Sequence, residues 1–412
     1  MATVRAFRAI RPAEGAAARV AALPYDVMSA AEAREMTRGD ELSFLHVDKA
    51  EIDLDPAMDP YSDAVYAKAK SNLDRLIREG ALFRDADEVF YIYKLTMDGR
   101  EQAGFVGCAS ADDYLENRIR KHEFTRADKE RDRIRHVDTL NANTGPIFLA
   151  HRAEGALSRI AAAWMASHDP IYDFTADGGV RHTVYRIGDP AENERITAAF
   201  ADVPALYIAD GHHRCASAVR VAQLRRAANP GYTGDEEFNF FLAVIFPADQ
   251  LAIMDYNRLL KDMNGLDEKS LFAEIEKSFD VSKAASPVHP AARHEFGMCL
   301  AGEWYRLKAH SGLIDETDPV QRLDVSILQR LLLAPVFGIE DPRTSDRIDF
   351  AGGIRGLEYL EARVRDDMKA AFSLYPTAMD ELMDIADAGE VMPPKSTWFE
   401  PKLLSGLFIH EL

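Results

Sequence analysis

The sequence predicts a mixed α/β (α+β) fold organised in two domains. Short apolar runs of strand length alternate along the chain with amphipathic segments of helical period, which is typical of α/β proteins. The pair Asp98-Gly99 between two apolar runs predicts a β-hairpin. The chain has 412 residues, whereas a single hydrophobic core usually stops growing near about 250–300 residues. A composition shift near 265–268 therefore predicts a region 1-265 and a C-terminal α/β domain 266-412.

Local patterns justify the elements of the first region in order. Alternating or short continuous apolar runs predict the strands. Ser29 with Glu32, and Thr125 with Asp128, have capping-box spacing and predict helix starts. The predicted strands are 4–10, 43–47, 89–97, 102–109, 146–150, 171–176, 180–187, 203–209 and 238–246. The predicted helices are 29–39, 60–79, 125–141, 154–167, 191–200 and one that carries its apolar face at 215–222 and stops at 229–231.

The same signals predict alternating helices and strands in the second region. Helices of about three turns, recognised by their 3.6-residue period, are separated there by short apolar runs. The predicted helices are 269–278, 320–333, 354–364 and 378–386, and the predicted strands are 303–308, 369–374 and 406–409.

The composition is that of an ordinary globular protein, with 47% apolar and 28% charged residues. A net charge of −19 repels polyanions and argues against a nucleic-acid partner. Three widely spaced cysteines offer no disulfide framework, which is typical of a reducing cytoplasm. The longest apolar run, 240–247, is too short for a membrane helix, and the first residues lack a signal-peptide pattern. We expect a cytoplasmic protein with no membrane partner, and the composition neither requires nor excludes a homo-oligomer.

The stretch 205–218 has the densest group of reactive side chains. An apolar strand leads there into Asp-Gly-His-His-Arg at 210–214, called here the DGHHR turn, and a helix follows. A helix start favours an anion through its free N–H groups and its dipole, and glycine lets a phosphate approach the backbone. A turn with solvated histidines is the alternative. The candidate cofactor contacts are Gly211, His212, His213 and Arg214, and the candidate catalytic groups are Asp210 and His213.

A second polar concentration lies at 119–133. His122 and Glu123 precede the predicted helix 125–141, so they would project at another helix start, where an anion is again favoured. Both are candidate catalytic groups, and we expect them within one binding site of the DGHHR turn. Arg133, on the polar face of the helix, is a candidate cofactor contact. A solvated, salt-bridged helix face is the alternative.

The segment 389–397 has the spacing of a P-loop, but Pro394 stands where its second glycine should be. Two prolines remove backbone donors and fix φ, so this loop cannot cradle phosphates with its own N–H groups. Lys395 and Ser396 could still reach an anion with their side chains and are candidate cofactor contacts. An ordinary surface loop is the alternative.

Six motifs, in one order, resemble a single family. They are LPYDV at 23–27, IxxHExT at 119–125, Asp-Arg at 132–133, GPIF at 145–148, ADGHHR at 209–214 and PPKSTWFEPK at 393–402. Nearly from end to end, the chain is similar to domain-of-unknown-function family 1015. The resemblance implies a soluble bacterial or archaeal protein, and this family has no settled biochemical role.

The strand, DGHHR turn and helix are also similar to the signature turn of the ParB/sulfiredoxin superfamily, which includes CTP-binding ParB proteins and ADP-dependent free-serine kinases. This resemblance implies a ParB/sulfiredoxin-like core in which residues 211–214 hold nucleotide phosphates, with Mg²⁺ and ADP, ATP or CTP as cofactors. The motif order departs from ParB, whose acidic motif follows the turn, whereas the His-Glu pair precedes it here. The catalytic cysteine of sulfiredoxin has no counterpart.

Three functions remain open on this evidence. A phosphotransferase acting on a small hydroxyl compound would use the histidines, Arg214 and Lys395 as donors, while Glu123 or Asp210 takes the hydroxyl proton or holds Mg²⁺. A metal-dependent hydrolase would use the same histidines and carboxylates as ligands. A nucleotide-sensing switch would bind without catalysis. We favour the phosphotransferase, because adjacent helical histidines point about 100° apart and chelate one ion poorly.

Overall fold

The fold is described from a computed structural model, which describes residues 1–152 and 155–412. These residues form two compact units, Met1–Leu251 with Pro401–Leu412, and Ala252–Glu400. The predicted domains 1-265 and 266-412 differ from these units at both ends of the second unit. The C-terminal residues belong to the first unit because the last strand pairs with 142–143. Amino-acid composition cannot predict such a pairing between distant segments, so the predicted boundary missed it.

The strands of the described residues are numbered in chain order. They are β1 (Val4–Arg5), β2 (Ile10–Pro12), β3 (Leu82–Arg84), β4 (Phe90–Met97), β5 (Arg100–Ser110), β6 (Ile119–Arg120), β7 (Ala142–Asn143), β8 (Ile147–His151), β9 (Tyr172–Thr175), β10 (Arg181–Ile187), β11 (Leu206–Asp210), β12 (Phe240–Pro247), β13 (Ile253–Met254), β14 (Tyr256–Leu260), β15 (Phe279–Ala284), β16 (Glu295–Leu300), β17 (Glu303–Ala309), β18 (Ile348–Gly352), β19 (Ala370–Leu374), β20 (Trp398–Phe399) and β21 (His410–Glu411).

The α-helices of the described residues follow the same convention. They are α1 (Ala17–Val20), α2 (Ala30–Met36), α3 (Leu45–Asp48), α4 (Asp63–Arg78), α5 (Ala111–Leu115), α6 (Ala127–Leu140), α7 (Gly155–Ser167), α8 (Pro190–Ala201), α9 (His212–Ala228), α10 (Glu268–Ile275), α11 (Asp324–Leu328), α12 (Gly356–Asp366) and α13 (Met379–Asp387). The predicted mixed α/β fold class is confirmed. No helix in the described part of the chain is long and apolar enough to span a membrane.

One mixed sheet organises the first unit. Its strands lie in the order β6-β11-β8-β12-β5-β4-β10-β9, and β1 pairs with β5. Strand β11 runs parallel to β6, with Leu206 opposite Ile119, and antiparallel to β8. Parallel neighbours end at the same edge of a sheet. The chain segments that follow Arg120 and Asp210 therefore leave the sheet side by side.

The predicted hairpin of the first unit is confirmed. Met97 lies opposite Arg100, and Asp98 and Gly99 between them have φ values of +52° and +77°. Positive φ at both central residues is the geometry of a type I′ turn, which matches the twist of the flanking strands. The pattern of an Asp-Gly pair between apolar runs is therefore enough to locate this turn.

Other predicted elements of the first unit differ from the structure. The predicted strand 43–47 is the short helix α3, and the predicted strand 4–10 is divided between β1 and β2. Phe44 is the N-cap residue of this helix and is fully buried. A short apolar run is compatible with either a buried helix or a strand, and here it forms a helix. The predicted helix 154–167 is found as α7, and its predicted first residue, Glu154, lies outside the described residues.

The second unit is built on an antiparallel sheet. Its strands lie in the order β15-β17-β16-β19-β14-β18, and β13 pairs with β20. Helix α12 covers one face, where Leu360 packs in a cluster with Leu259 and Ala371. The predicted helix 320–333 is α11 followed by a π-helical turn, Gln329–Leu333.

Candidate functional site

The candidate site lies at the edge of the first sheet where β6 and β11 end. Gly211 joins β11 directly to α9 with a φ of +90°, a conformation that strains any residue with a Cβ. A Cβ at this position would also come within 3.1 Å of the Arg214 guanidinium. The turn therefore requires glycine, and the helix begins as soon as the strand has ended.

The starts of α9 and α6 lie at this same edge. In the described residues, no side chain caps either helix. The first N–H groups of a helix have no partner within the helix, and with the helix dipole they form a site for an anion. The Arg126 backbone N–H, just before α6, donates to Nε2 of His213 at 3.0 Å. One ring nitrogen of His213 is thus used to hold the two helix starts together.

The predicted capping box of Thr125 and Asp128 is wrong. Helix α6 begins at Ala127 with Arg126 as its N-cap residue, and the Thr125 hydroxyl donates instead to Oε2 of Glu130 at 3.0 Å. Threonine with an acidic residue three positions later is a common pattern, and the pairing of Arg126 with His213 supplies a tertiary contact that the local sequence does not contain.

His122 and His212 meet between the two strand ends. Their ring centroids are 4.4 Å apart with the planes at 86°, and Oε2 of Glu123 lies 3.6 Å from Nδ1 of His212. The prediction that His122 and Glu123 lie at the DGHHR turn is confirmed. Within the described residues, both ring nitrogens of His122 and Nε2 of His212 are buried without a hydrogen-bond partner. Such atoms are rare in folded proteins and call for a ligand or water.

The three histidines of the site are neutral at physiological pH. Burial lowers the pKa of His122 to about 4. Burial, with His122 close by, holds the pKa of His212 well below its usual value, and burial lowers the pKa of His213. An imidazolium charge is therefore not available to attract a phosphate, and these rings act as hydrogen-bonding groups.

Asp210 is held by two cations. Its Oδ2 lies 3.3 Å from Nζ of Lys402 and 3.8 Å from Nη2 of Arg214, and its Oδ1 accepts the Gly211 N–H at 2.9 Å. Burial alone would raise the pKa of this carboxyl, but Lys402, Arg214 and the hydrogen bonds hold the pKa well below its usual range. Asp210 is therefore a carboxylate with both oxygens engaged. Lys402 was not predicted, although it stands in the quoted motif at 393–402.

Arg214 lies between the DGHHR turn and a small cavity and is largely buried. Its Nη1 donates to the Pro146 carbonyl at 2.6 Å, and its Nε is buried with no partner among the described residues. A cavity of about 30 Å³ lies beside it, lined also by Tyr25, Asp48 and Arg133. One water molecule requires about 10–15 Å³ of such a cavity, so this cavity holds one or two waters or a small group. A nucleotide must therefore lie outside it.

The polar face of α6 is buried, which excludes the alternative of a solvated helix face. Asp132, Arg133 and His136 are only 9%, 9% and 4% exposed. Nη2 of Arg133 lies 2.8 Å from Oδ2 of Asp132, and its guanidinium stacks 4.0 Å from the ring centroid of Tyr25. The Tyr66 hydroxyl donates to Oδ1 of Asp132 at 2.8 Å. Arg133 therefore reaches the cavity with much of its charge already paired.

Lys395 and Ser396 belong to the second unit. The Ser396 hydroxyl donates to the Pro393 carbonyl at 2.6 Å, and the Thr377 hydroxyl donates to the Ser396 carbonyl at 3.0 Å. Lys395 has a φ of +59°, and its ammonium lies 5.6 Å from the ring centroid of Tyr256. That these two residues contact the ligand of the DGHHR turn stays a prediction.

The histidine and carboxylate cluster does not have the geometry of a transition-metal centre. Within the described residues, no group of three His, Cys, Asp or Glu side chains is placed to hold a metal ion. Catalytic zinc sites in proteins use three protein ligands.

The first unit is thus a mixed α/β structure in which two helix starts lie at one edge of the sheet. The chain belongs to the family described as "Protein of unknown function (DUF1015)", which matches residues 4–326. The family predicted from the six motifs is confirmed, and the match ends before the motif at 393–402. No curated protein matches the sequence.

Several solved structures are similar to this fold. A conserved hypothetical protein from Pyrococcus furiosus is 12% identical with a TM-score of 0.36, over 73% of this chain and 93% of that chain. A free serine kinase in complex with AMP is 14% identical with a TM-score of 0.35, over 73% and 90%. SbnI with a C-terminal truncation, from Staphylococcus aureus, is 11% identical with a TM-score of 0.39, over 73% and 85%. Functional interpretation therefore depends on the side chains of the site itself.

Proposed function

We propose that the protein binds a nucleotide through its phosphates at the DGHHR turn and transfers a phosphoryl group to a small hydroxyl compound. The observation that carries this proposal is the position of Glu123 beside the uncapped start of α9. The Glu123 side chain is 51% exposed and lies 3.6 Å from His212, the first residue of the helix. Phosphoryl transfer depends on placing a proton acceptor and phosphate donors together, and this arrangement supplies both.

Phosphate binding uses the backbone and two side-chain cations. The free N–H groups of residues 212–214 point out of the helix start, as in other helix-terminal phosphate sites. Arg214 and Lys402 both lie near the carboxylate of Asp210, and Asp26 and Asp48 also act on the charge of Arg214. The neutral rings of His212 and His213 add hydrogen bonds without adding charge.

Glu123 is better suited than Asp210 to take the hydroxyl proton. Two cations hold the pKa of Asp210 well below its usual range, so its carboxylate is a weak base. Glu123 is half exposed at the open side of the site, where an acceptor can approach. We therefore assign Glu123 as the proton acceptor. Asp210 positions Arg214 and Lys402.

Magnesium would be held here chiefly by the phosphates of the nucleotide, because Glu123 serves as the proton acceptor. Mg²⁺ commonly takes one or two carboxylates with substrate phosphates and water, and when bound it neutralises charge on the phosphates. Asp210 is less suited to hold the ion, because its Oδ1 accepts the Gly211 N–H and its Oδ2 faces Lys402 and Arg214.

His213 offers a matched pair of variants to test the proposal. His213→Gln and His213→Glu both keep an acceptor for the Arg126 N–H. A glutamate in the first helical turn also stabilises the helix, but it competes with a bound phosphate for the same N–H groups and repels it. ADP, ATP or CTP with Mg²⁺ should raise the melting temperature of the wild type and of His213→Gln, but not of His213→Glu.

Equal nucleotide-induced shifts in all three proteins would place the nucleotide elsewhere. Incubation of the wild type with nucleotide and a pool of hydroxyl metabolites then tests for transfer. We expect a phosphorylated product, detected by mass. Nucleotide binding without any product would favour the nucleotide-sensing switch instead.

A further inference from the structure

The second unit contains a buried cation that no carboxylate neutralises. Arg258, on β14, is only 4% exposed. Its Nη1 donates to the Tyr256 carbonyl, and its other N–H groups have no hydrogen-bond partner in the described residues. No carboxylate of the described residues forms an ion pair with it, and burial lowers its pKa to about 10. Burying a charge without a partner is costly, so such a residue needs an explanation.

Three other arginines with largely buried side chains are paired. Arg11 faces Asp85 at 2.9 Å, Arg133 faces Asp132 at 2.8 Å, and Arg214 faces Asp210 at 3.8 Å. Arg258 differs from these in having only a backbone carbonyl and the ring of Phe350, whose centroid is 5.5 Å from its guanidinium carbon. These three arginines each have a carboxylate partner, whereas the described residues offer none to Arg258.

Phe350 contacts Arg258 directly, and further aromatic rings and a second cation lie against Tyr256, its neighbour on the same strand. Tyr256 and Arg258 are two residues apart on one strand, so their side chains share a face of the sheet. The Tyr256 ring contacts Trp398 at 5.2 Å and Phe350 at 6.2 Å. Lys395 reaches the same Tyr256 ring at 5.6 Å and forms no ion pair within the described residues. We call these five residues the Arg258 cluster.

We propose that the Arg258 cluster is a second oxyanion site, with a phosphate dianion as the best-matched group. The planar guanidinium presents two parallel donors to a phosphate or carboxylate, and Lys395 adds a point charge. Two cations without a carboxylate match a doubly charged group better than a singly charged one. The rings of Tyr256, Phe350 and Trp398 provide apolar walls suited to a planar group attached to that phosphate.

The test compares proteins that differ only at residue 258. Inorganic phosphate is titrated calorimetrically into full-length His213→Glu and into His213→Glu with Arg258→Met, so that both proteins carry the same altered turn. We expect phosphate to bind the first protein and to bind the second at least about tenfold more weakly, because the charge-assisted hydrogen bonds are lost. The comparison holds whether or not a nucleotide binds at the turn.

Two further measurements keep the result decisive. Without phosphate, Arg258→Met should melt at the same temperature as its parent or higher, because an apolar side chain replaces an unpaired buried charge. Arg258→Lys keeps the charge without the planar fork and should bind phosphate with intermediate affinity. Unchanged phosphate binding in Arg258→Met, no phosphate binding to its parent, or acetate binding as tightly as phosphate would each overturn the proposal.

Discussion

Two buried polar clusters of the first unit differ in how completely their hydrogen bonds are made. Around Asp85, Arg11 donates to both carboxylate oxygens at 2.9 Å, and the Tyr91 hydroxyl donates as well. At the DGHHR turn, both ring nitrogens of His122 and Nε2 of His212 are buried without partners in the described residues. Both clusters are buried, so burial alone does not tell them apart.

From this difference we infer that the Asp85 cluster mainly stabilises the fold and that the cluster at the DGHHR turn mainly serves ligand binding. A complete buried network rigidifies the structure, whereas a half-complete one destabilises it unless something else supplies the missing bonds. The Asp85 cluster should therefore dominate stability, and the cluster at the turn should dominate binding. Substitutions in each cluster test this difference in role. They are given in order of decreasing expected effect on the free energy of unfolding.

The largest loss is expected for Arg11→Met. It leaves the buried Asp85 carboxylate without its main partner, which typically costs about 3–5 kcal/mol. The nucleotide-induced rise in melting temperature should persist in the molecules that fold. Arg181→Met is the matched control, because its pair with Asp173 has side chains 56% and 35% exposed. That control should lose no more than about 1 kcal/mol by chemical denaturation. Equal losses would refute the ranking.

Lys402→Met should cost less, about 1–2 kcal/mol, because the Asp210 side chain is 33% exposed and water replaces part of the lost interaction. Unlike Arg11→Met, it should also weaken the nucleotide-induced shift, since it removes one of the two cations that we propose for the phosphates. Chemical denaturation gives the first quantity, and melting with and without nucleotide gives the second. A normal nucleotide response would remove Lys402 from the binding site.

His122→Phe should be within about 1 kcal/mol of the wild type at pH 7, because both nitrogens that it removes lack partners. Its effect grows with acidity. The folded-state pKa of His122, about 4, lies below that of an unfolded histidine, so the unfolded chain takes up the proton first as the pH falls. From about pH 6.5 towards 4, the wild type should lose stability relative to the variant, by up to about 1.4 kcal/mol per pH unit. Parallel pH profiles would contradict the assignment.

Glu123→Gln should change stability least, by about 0.5 kcal/mol or less, because its side chain is half exposed. Nucleotide affinity should be retained, and the rate of transfer should fall by about 10²–10⁴ because the general base is lost. Glu130→Gln, a carboxylate on the next helix, serves as the control for a change of charge near the site. Full turnover in Glu123→Gln would exclude it as the proton acceptor.

The sequence predicted those parts of the site that are local in the chain. A strand, a glycine and a helix follow each other within 206–228, and their signals are contained in neighbouring residues. The placement of His122 beside the turn was also predicted, although the reason for it, the parallel pairing of β6 with β11, was not. The family and the mixed α/β class followed from motifs and element order.

Contacts between distant residues were not predicted. Lys402 reaches Asp210 across a separation of 192 residues, and no local pattern distinguishes it from Lys395, the lysine that was chosen. The charged face of α6 looks solvated in sequence, yet Asp132 finds Tyr66 and Arg133 finds Tyr25, both far away in the chain. Such pairs depend on the tertiary fold, which neither charge pattern nor helical period encodes.

The return of the chain from the second unit to the first has a consequence for biosynthesis. Lys402 and β21, which complete the first unit, are translated only after the whole of Ala252–Glu400. At bacterial or eukaryotic elongation rates this interval is on the order of 10 s, long compared with the folding of a small domain. During that time Asp210 has Arg214 but not Lys402 beside it. A chain that stops before residue 402 therefore lacks one of the two cations that we propose for phosphate binding.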